Sequence, residues 1–231
     1  MLEALVDHYK LNPMVGIHHL DACDCKKTAQ QMLCSGSFDH GGGHLRHIQH
    51  VNENIEDRIT DSALAILMKL FPDEKPEQRK ANPLSAKEME RRLKKAKEVL
   101  DNEMFSFPPG HQAYCASCDD RCECWSEGTV EGRSTTDRLA RQCSIRLFIA
   151  GHNCKDWSNR GLGLGCNGPS FRSFLIMMYE IRHKKPEVVI LECSANSPDC
   201  VAFTMLGDLY EIDSVILCPK DFGWPVNRKR K

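Results

Sequence analysis

Two stretches decide the fold: Ile145–Gly151 (IRLFIAG), which runs into His152-Asn153-Cys154-Lys155-Asp156-Trp157-Ser158, and Pro186–Glu192 (PEVVILE). Each reads as a short apolar strand, and Val188–Leu191 is apolar enough to be expected buried on both faces, as in a parallel sheet. Between them lie a glycine-rich loop (NRGLGLGCNG) and Phe171–His183, which has helical spacing. Strand, loop, helix, strand is the order that builds a parallel pair with its loops at one edge. A cysteine just past the carboxyl end of such a strand, followed by glycines, stands where open α/β sheets place their sites. Glu192 at the end of the next strand would leave the sheet at the same edge as Cys154. A thiol and a carboxyl there can act on two atoms of one ring.

The same alternation extends outward. Upstream, Met1–His8 has apolar residues at helical spacing, Val15–Leu20 reads as a strand, Lys26–Leu33 as a helix and His47–Ile55 as another short strand, with turn residues over Ser35–His44. Downstream, Ala202–Leu209 is predicted helical and Ile212–Leu217 is predicted to be a strand. Residues 60–140 differ: a short helix over Ser62–Leu70, a polar linker over Lys75–Pro83, and a long amphipathic helix over Ser85–Leu100. Ser85 and Glu88 make a capping box for that helix, and Met89, Leu93, Ala96 and Leu100 form its apolar stripe. Its other face carries Arg91, Arg92, Lys94, Lys95 and Lys97, read as a solvated surface in preference to a phosphate contact. The expectation is one α/β domain, residues 1–231, interrupted by an insertion over 60–140.

Composition sets bounds. The chain has 231 residues, 41% hydrophobic and 27% charged, an ordinary globular mixture. Its 31 basic and 32 acidic residues give a net charge of −1, which excludes a uniformly basic nucleic-acid binder and leaves room for a local basic patch. No apolar run has membrane-spanning length, and the first residues lack the order of a secretory leader. Thirteen cysteines in a chain read as intracellular point to reduced thiols, some with chemistry of their own.

One cluster stands out: His111-x3-Cys115-x2-Cys118-x3-Cys122-x-Cys124. Cys-x2-Cys suits half of a tetrahedral zinc site, and His111, Cys122 and Cys124 offer the remaining ligands. The segment has little apolar content, so a metal would help it fold. Free thiols, a structural zinc on Cys115, Cys118, Cys122 and Cys124, and disulfides stay open as readings, in that order of preference. Cys23 and Cys25 are read as strand-end packing, and the His40, His44, His47 and His50 group as too poorly ordered to hold metal.

Taken together, the motifs after residue 145 resemble the C-5 cytosine-specific DNA methyltransferase family. Asn153-Cys154-Lys155-Asp156-Trp157-Ser158 is similar to its Pro-Cys-x-x-aromatic-Ser motif, and Arg172-Ser173 to an Arg-Ser pair that opens a helix. Glu192-Cys193-Ser194 stands where the family has Glu-Asn-Val. Asp221-Phe222-Gly223-Trp224-Pro225-Val226-Asn227-Arg228-Lys229-Arg230 resembles its late Asp-aromatic-Gly-x-Pro-Gln-x-Arg-x-Arg segment. More weakly, Asp24 followed by Ala29-Gln30 looks like the family's acidic residue on the cofactor ribose, and Asn54 stands where an adenine-contacting aspartate is usual. Asn153, Cys193 and Val226 replace the family's Pro, Asn and Gln.

The resemblance implies a Rossmann-like, S-adenosylmethionine-dependent methyltransferase core, truncated at both ends, with a helical and Cys-rich insertion. Neither the family's Phe-x-Gly-x-Gly turn nor its target-recognition region has a counterpart in this sequence. It implies Cys154 as nucleophile toward C6 of a flipped cytosine in DNA, Glu192 on N3 and the exocyclic amine, and Arg228 and Arg230 as anchors of base and phosphate. Asp24 and Asn54 would bind the cofactor. Such a chain would work in a nucleus, or in the cytoplasm of a cell without one. The competing expectations are an inactive relic that binds nucleic acid or a partner protein, an RNA cytosine-5 methyltransferase, and a zinc-dependent interaction module carried by residues 105–125.

Overall fold

The computed structural model describes residues 21–23, 27–34, 50–73, 85–124, 147–151, 156–158, 164–197, 199–218, 220 and 223. It is a mixed α/β protein, and the chain divides into two compact units: residues 1–58 with 110–129, and residues 59–109 with 130–231. The segment 60–140 is therefore shared between them. The first helix and strand expected upstream, Met1–His8 and Val15–Leu20, lie outside the described residues, as does the linker Lys75–Pro83.

The first unit is built on β1 (Asp21–Cys23), α1 (Lys27–Cys34), β2 (His50–Asn52), β3 (Gln112–Cys115) and β4 (Asp120–Glu123). They form one four-stranded sheet in chain order. β1 and β2 are parallel, with Asp21 opposite His50 and Cys23 opposite Asn52, as the intervening helix requires. β3 runs antiparallel to β2 and turns directly into β4, pairing Ala113 with Cys122 and Cys115 with Asp120. Asp119 closes that turn at φ +50°, a left-handed conformation that Asp tolerates better than most residues. Its carboxylate accepts a 2.7 Å hydrogen bond from the Tyr114 hydroxyl. The hairpin is absent from the sequence reading, because its strands carry charge and cysteine where apolar alternation would have signalled them.

The second unit holds the larger core. It contains α2 (Asp61–Leu70), α3 (Ala86–Asp101), α4 (Glu103–Ser106), β5 (Leu147–Gly151), α5 (Ser170–Lys184), β6 (Val188–Glu192) and α6 (Asp199–Leu206). α2 starts at Thr60, whose hydroxyl accepts from the Ala63 amide, and α3 at Ser85, whose hydroxyl accepts from the Glu88 amide at 3.2 Å. Glu88 does not complete the expected box; its carboxylate binds Arg91 and Arg92 at 2.8 Å, which together hold it down at about 2. The basic face of α3 is spent on ion pairs: Lys94 with Glu90, Lys95 with Glu98, and Lys97 with Asp208. Lys94 and Lys95 remain solvent-exposed within these pairs.

α5 is the central element. Phe171, Phe174, Leu175, Ile176, Met177, Met178, Tyr179 and Ile181 are all buried, so the helix is enclosed on most sides. Phe171 meets Phe71 edge-on at 4.9 Å, and Tyr179 stacks on Phe107 at 3.8 Å. Arg182 ties the end of α5 to Asp101 at 3.0 Å and to Asp208 at 2.5 Å. The helix stops at Lys185, whose left-handed backbone (φ +44°) lets its amide reach the Ile181 carbonyl before Pro186 prevents continuation.

Two sequence expectations are corrected. β6 is not covered on both faces: Val188 and Ile190 are 41% and 42% exposed, and Leu147 and Ile149 of β5 are each 41% exposed. The two strands form a two-stranded sheet among the described residues, with one apolar face open. Residues 212–217 make no strand either. They run irregularly to a single bridge residue at Leu217, with Val215, Ile216 and Leu217 all about half exposed, because no ladder recruits their backbone. α6 spans Asp199–Leu206, three residues earlier than Ala202–Leu209, and ends at Gly207, where a Cβ would lie 2.5 Å from the Phe203 carbonyl oxygen. No described helix is long and apolar enough to cross a membrane.

Candidate functional site

In the second unit, β5 and β6 pair in parallel and in register, Leu147 with Val188 through Gly151 with Glu192. Both strands therefore end at one edge on adjacent residues. Glu192 is exposed, and a Cβ on Gly151 would sit 3.2 Å from its Oε2. A glycine at 151 thus keeps the space beside the carboxylate clear. The expected nucleophile, Cys154, follows Gly151 by three residues and lies outside the described residues, as do Asp24, Arg228 and Arg230.

The chain on either side of Cys154 is fixed to the scaffold. Upstream is the β5 ladder. Downstream, Asp156 is 1% exposed and sits at the start of α5, where its carboxylate accepts from the Ser170 amide at 3.0 Å and from the Ser170 hydroxyl. A carboxylate there caps unpaired amides and meets the positive end of the helix dipole. Gly168 makes room for it, since a Cβ at 168 would fall under 3.0 Å from the Asp156 carboxyl. Trp157 is buried, packs edge-on against Phe171 at 6.0 Å, and lies over Gly165, which adopts φ +61°. The Trp157 carbonyl accepts a 3.2 Å hydrogen bond from the Asn196 amide, four residues past Glu192. The segment after β5 is thereby tied to the segment after β6. Sequence reading singled out neither Asp156 nor Asn196 as a support. The signal for Asp156 was a carboxylate ahead of a Gly-Pro-Ser helix start.

Arg172, half of the expected Arg-Ser pair, is buried in the first turn of α5 and reaches Asp73 at 2.6 Å and the Phe71 carbonyl at 3.2 Å. Its contacts tie α5 to the residues just beyond α2. Asn54, in the first unit, has its side-chain oxygen accepting from the Glu56 amide at 3.1 Å and its NH2 donating to Asp57 at 3.3 Å. Both ends of the amide thus serve the start of the short 3-10 turn Ile55–Arg58.

The second constellation is the β3–β4 hairpin of the first unit. The sulfurs of Cys115, Cys118 and Cys122 lie within 4.8 Å of one another, a group able to hold a metal ion such as zinc. Cys115 is buried on β3, Cys118 is exposed in the turn, and Cys122 is half-buried on β4. Burial first, and the Cys118 and Cys115 thiols next, push the Cys122 thiol up to about 12. Cys124 is buried but stands outside this group, its thiol turned toward the Cys122 carbonyl at 3.9 Å. Its own carbonyl accepts from Arg58 at 3.1 Å. His111 also lies outside the group, with Nε2 2.9 Å from the Asp57 carbonyl oxygen. Cys115, Cys118, Cys122, Cys124, Cys166, Cys193, Cys200 and Cys218 are all free of disulfides.

No family model, no curated protein and no solved structure matches this chain.

Proposed function

We propose that the edge formed by β5 and β6 is the active site of a cytosine-5 methyltransferase acting on DNA, built on a Rossmann-like core. The observation that carries this reading is the in-register parallel pair: Gly151, three residues before Cys154, stands opposite Glu192. The order of motifs through residue 231 agrees with it, and so does the tie from Asn196 to Trp157 between the two loops.

The chemistry asked of these residues is specific. Cytosine C5 is a weak nucleophile until C6 is saturated. The Cys154 thiolate adds to C6, forming the S–C6 bond and pushing the C5–C6 π electrons onto C5 and, through the ring, N3. Glu192 hydrogen-bonds N3 and the exocyclic amine and so stabilises the charge that addition creates. When a C5-substituted adduct loses its C5 proton to a base, the C–H electron pair re-forms the C5–C6 double bond, the S–C6 pair returns to sulfur and the thiolate leaves. Reaching the base requires flipping it from the duplex, at a cost of a few kcal/mol, with Arg228 and Arg230 holding base and phosphate.

S-adenosylmethionine is the methyl donor this reading implies. Among the described residues the fit is not met, since Asn54 commits its amide to its own turn; the steps above are confined to the chain's own groups.

The test is trapping on a duplex containing 5-fluorocytosine with S-adenosylmethionine, comparing wild type and Cys154→Ala, with a single-stranded RNA of the same sequence as a parallel arm. Fluorine at C5 blocks release, so a competent site stays joined to the nucleic acid. A donor-dependent adduct on DNA, lost in Cys154→Ala, is the expected result. An adduct on RNA alone reassigns the substrate. No adduct from folded protein overturns the catalytic reading and leaves an inactive relic.

A further inference from the structure

Independently of the β5–β6 edge, we propose that the β3–β4 hairpin is a zinc knuckle whose protein ligands are Cys115, Cys118 and Cys122. Tetrahedral zinc holds sulfur at about 2.3 Å, which sets its thiolates about 3.8 Å apart. The three sulfurs already lie within 4.8 Å of one another, so closing on an ion takes side-chain rotation of roughly 1 Å and no rearrangement of backbone. The ligands come from three different parts of the hairpin: Cys115 ends β3, Cys118 sits in the turn and Cys122 lies within β4. One ion would therefore fix strand, turn and returning strand together.

The hairpin has a physical need for that fixation. Among the described residues β4 is the edge strand, in which Asp120, Arg121 and Glu123 are exposed and only Cys122 turns partly inward. On β3 the inward residues are Ala113 and Cys115. An edge hairpin with so little apolar surface is marginal unless something other than burial holds it. Thiolates gathered at its end are suited to a soft, tetrahedral cation. A disulfide between any two of the three would leave an odd thiol, whereas one ion uses all three.

The ligand set excludes Cys124. Period-two alternation puts it on the same face as Cys122 but one step farther along, and its thiol points back to the Cys122 carbonyl while its own carbonyl is held by Arg58. His111 is excluded by its engagement at Asp57. Exposure of Cys118 gives the ion its route in from solvent, and the fourth coordination position is left to a group outside these three thiols.

The experiment uses the full chain, purified under reducing conditions, stripped with a chelator and reloaded with zinc or cobalt(II). Expected are one metal per chain, a thiolate-to-cobalt charge-transfer band, and protection of the 111–124 segment from proteolysis only in the loaded form. Cys118→Ser, at an exposed position that folding tolerates, and Cys122→Ser should each weaken zinc by at least tenfold and reduce the cobalt band by about a third, while Cys124→Ser leaves both unchanged. No uptake by reduced wild type, or undiminished uptake by Cys118→Ser, overturns the site. Loss of metal in Cys124→Ser equal to that in Cys122→Ser overturns the ligand set.

Discussion

Replacing Gly168 by alanine tests whether the segment after Cys154 is seated as described. The backbone at 168 has φ −87° and ψ 154°, which alanine adopts freely, so the substitution carries no conformational strain. Its cost arises from one contact: the new methyl would lie under 3.0 Å from the Asp156 carboxyl, buried against the start of α5. Overpacking of this kind costs about 1–3 kcal/mol. Loss of glycine's freedom in the unfolded chain returns about 0.4–1 kcal/mol, leaving a net loss near 1–2 kcal/mol. Asp156→Ala alone removes the acceptor of the Ser170 amide and hydroxyl. Because Ser170 is only half-buried and water reaches it, we set that cost at about 2 kcal/mol.

The informative quantity is the coupling between the two. With Asp156 shortened to alanine the overlap disappears, so Gly168→Ala should then be neutral or stabilising by up to about 1 kcal/mol. In thermal melts of a chain this size, each kcal/mol moves the midpoint by about 2–4 °C. Asp156→Ala should therefore melt about 4–8 °C below wild type, and the double variant no lower than Asp156→Ala. Circular dichroism at a helical wavelength reads the second unit, where most of the described helix lies. Additive losses in the double variant would refute the argument, because the methyl would then be meeting something other than Asp156.

Asn196→Ala removes the 3.2 Å tie to the Trp157 carbonyl and should slow formation of the 5-fluorocytosine adduct by roughly tenfold, the kinetic equivalent of about 1.4 kcal/mol, with duplex affinity unchanged. Equal adduct rates with a lowered melting point would make the contact a matter of stability alone. Arg182→Met takes away the partner of Asp101 and Asp208 and a donor to the Met205 carbonyl. It should cost about 2 kcal/mol, since the arginine is largely buried while both acids face water. A change below about 0.5 kcal/mol would show the network to be a solvated surface pair. Hydrogen bonds from Arg182 and then Lys97 hold the Asp208 carboxyl at about 2, against an ordinary value of 3.8. A depressed folded value contributes stability above the ordinary pKa and loses it as pH falls through the folded one. Wild type should lose more stability than Asp208→Asn between pH 4 and pH 2, measured by urea midpoints.

What could be read ahead of the coordinates followed from strong local signals. α3 was legible because Ser85 caps it and its apolar stripe repeats at helical spacing; α5 and β6 were legible because a long apolar helix is stopped by Lys185-Pro186 and followed at once by Val-Val-Ile-Leu. The edge at which Gly151 and Glu192 end their strands could be anticipated because a helix between two strands favours a parallel pair. The failures were tertiary. Whether Val188 and Ile190 are covered depends on what packs over them, and whether residues 212–217 form a strand depends on a neighbour's free backbone. Neither is written in the segment itself. The β3–β4 hairpin escaped notice because its inward positions are Ala113, Cys115 and Cys122, residues that read as chemistry before they read as a core.

That last use of thiols in place of hydrocarbon distinguishes the described hairpin from the helical unit. Among the described residues the second unit buries stacked and edge-on aromatic contacts around α5 together with the leucines and methionines of four helices. In the first unit the described buried apolar side chains are Val51, Ala113, Cys115 and Cys124, three of them small. Around the described hairpin the buried apolar side chains are small, and a metal there would supply binding free energy that is itself folding free energy. Stripping zinc should consequently unfold the hairpin unit first and leave the helical unit's melt nearly where it was. A single cooperative transition that shifts as a whole on metal removal would mean instead that the two units share their stability.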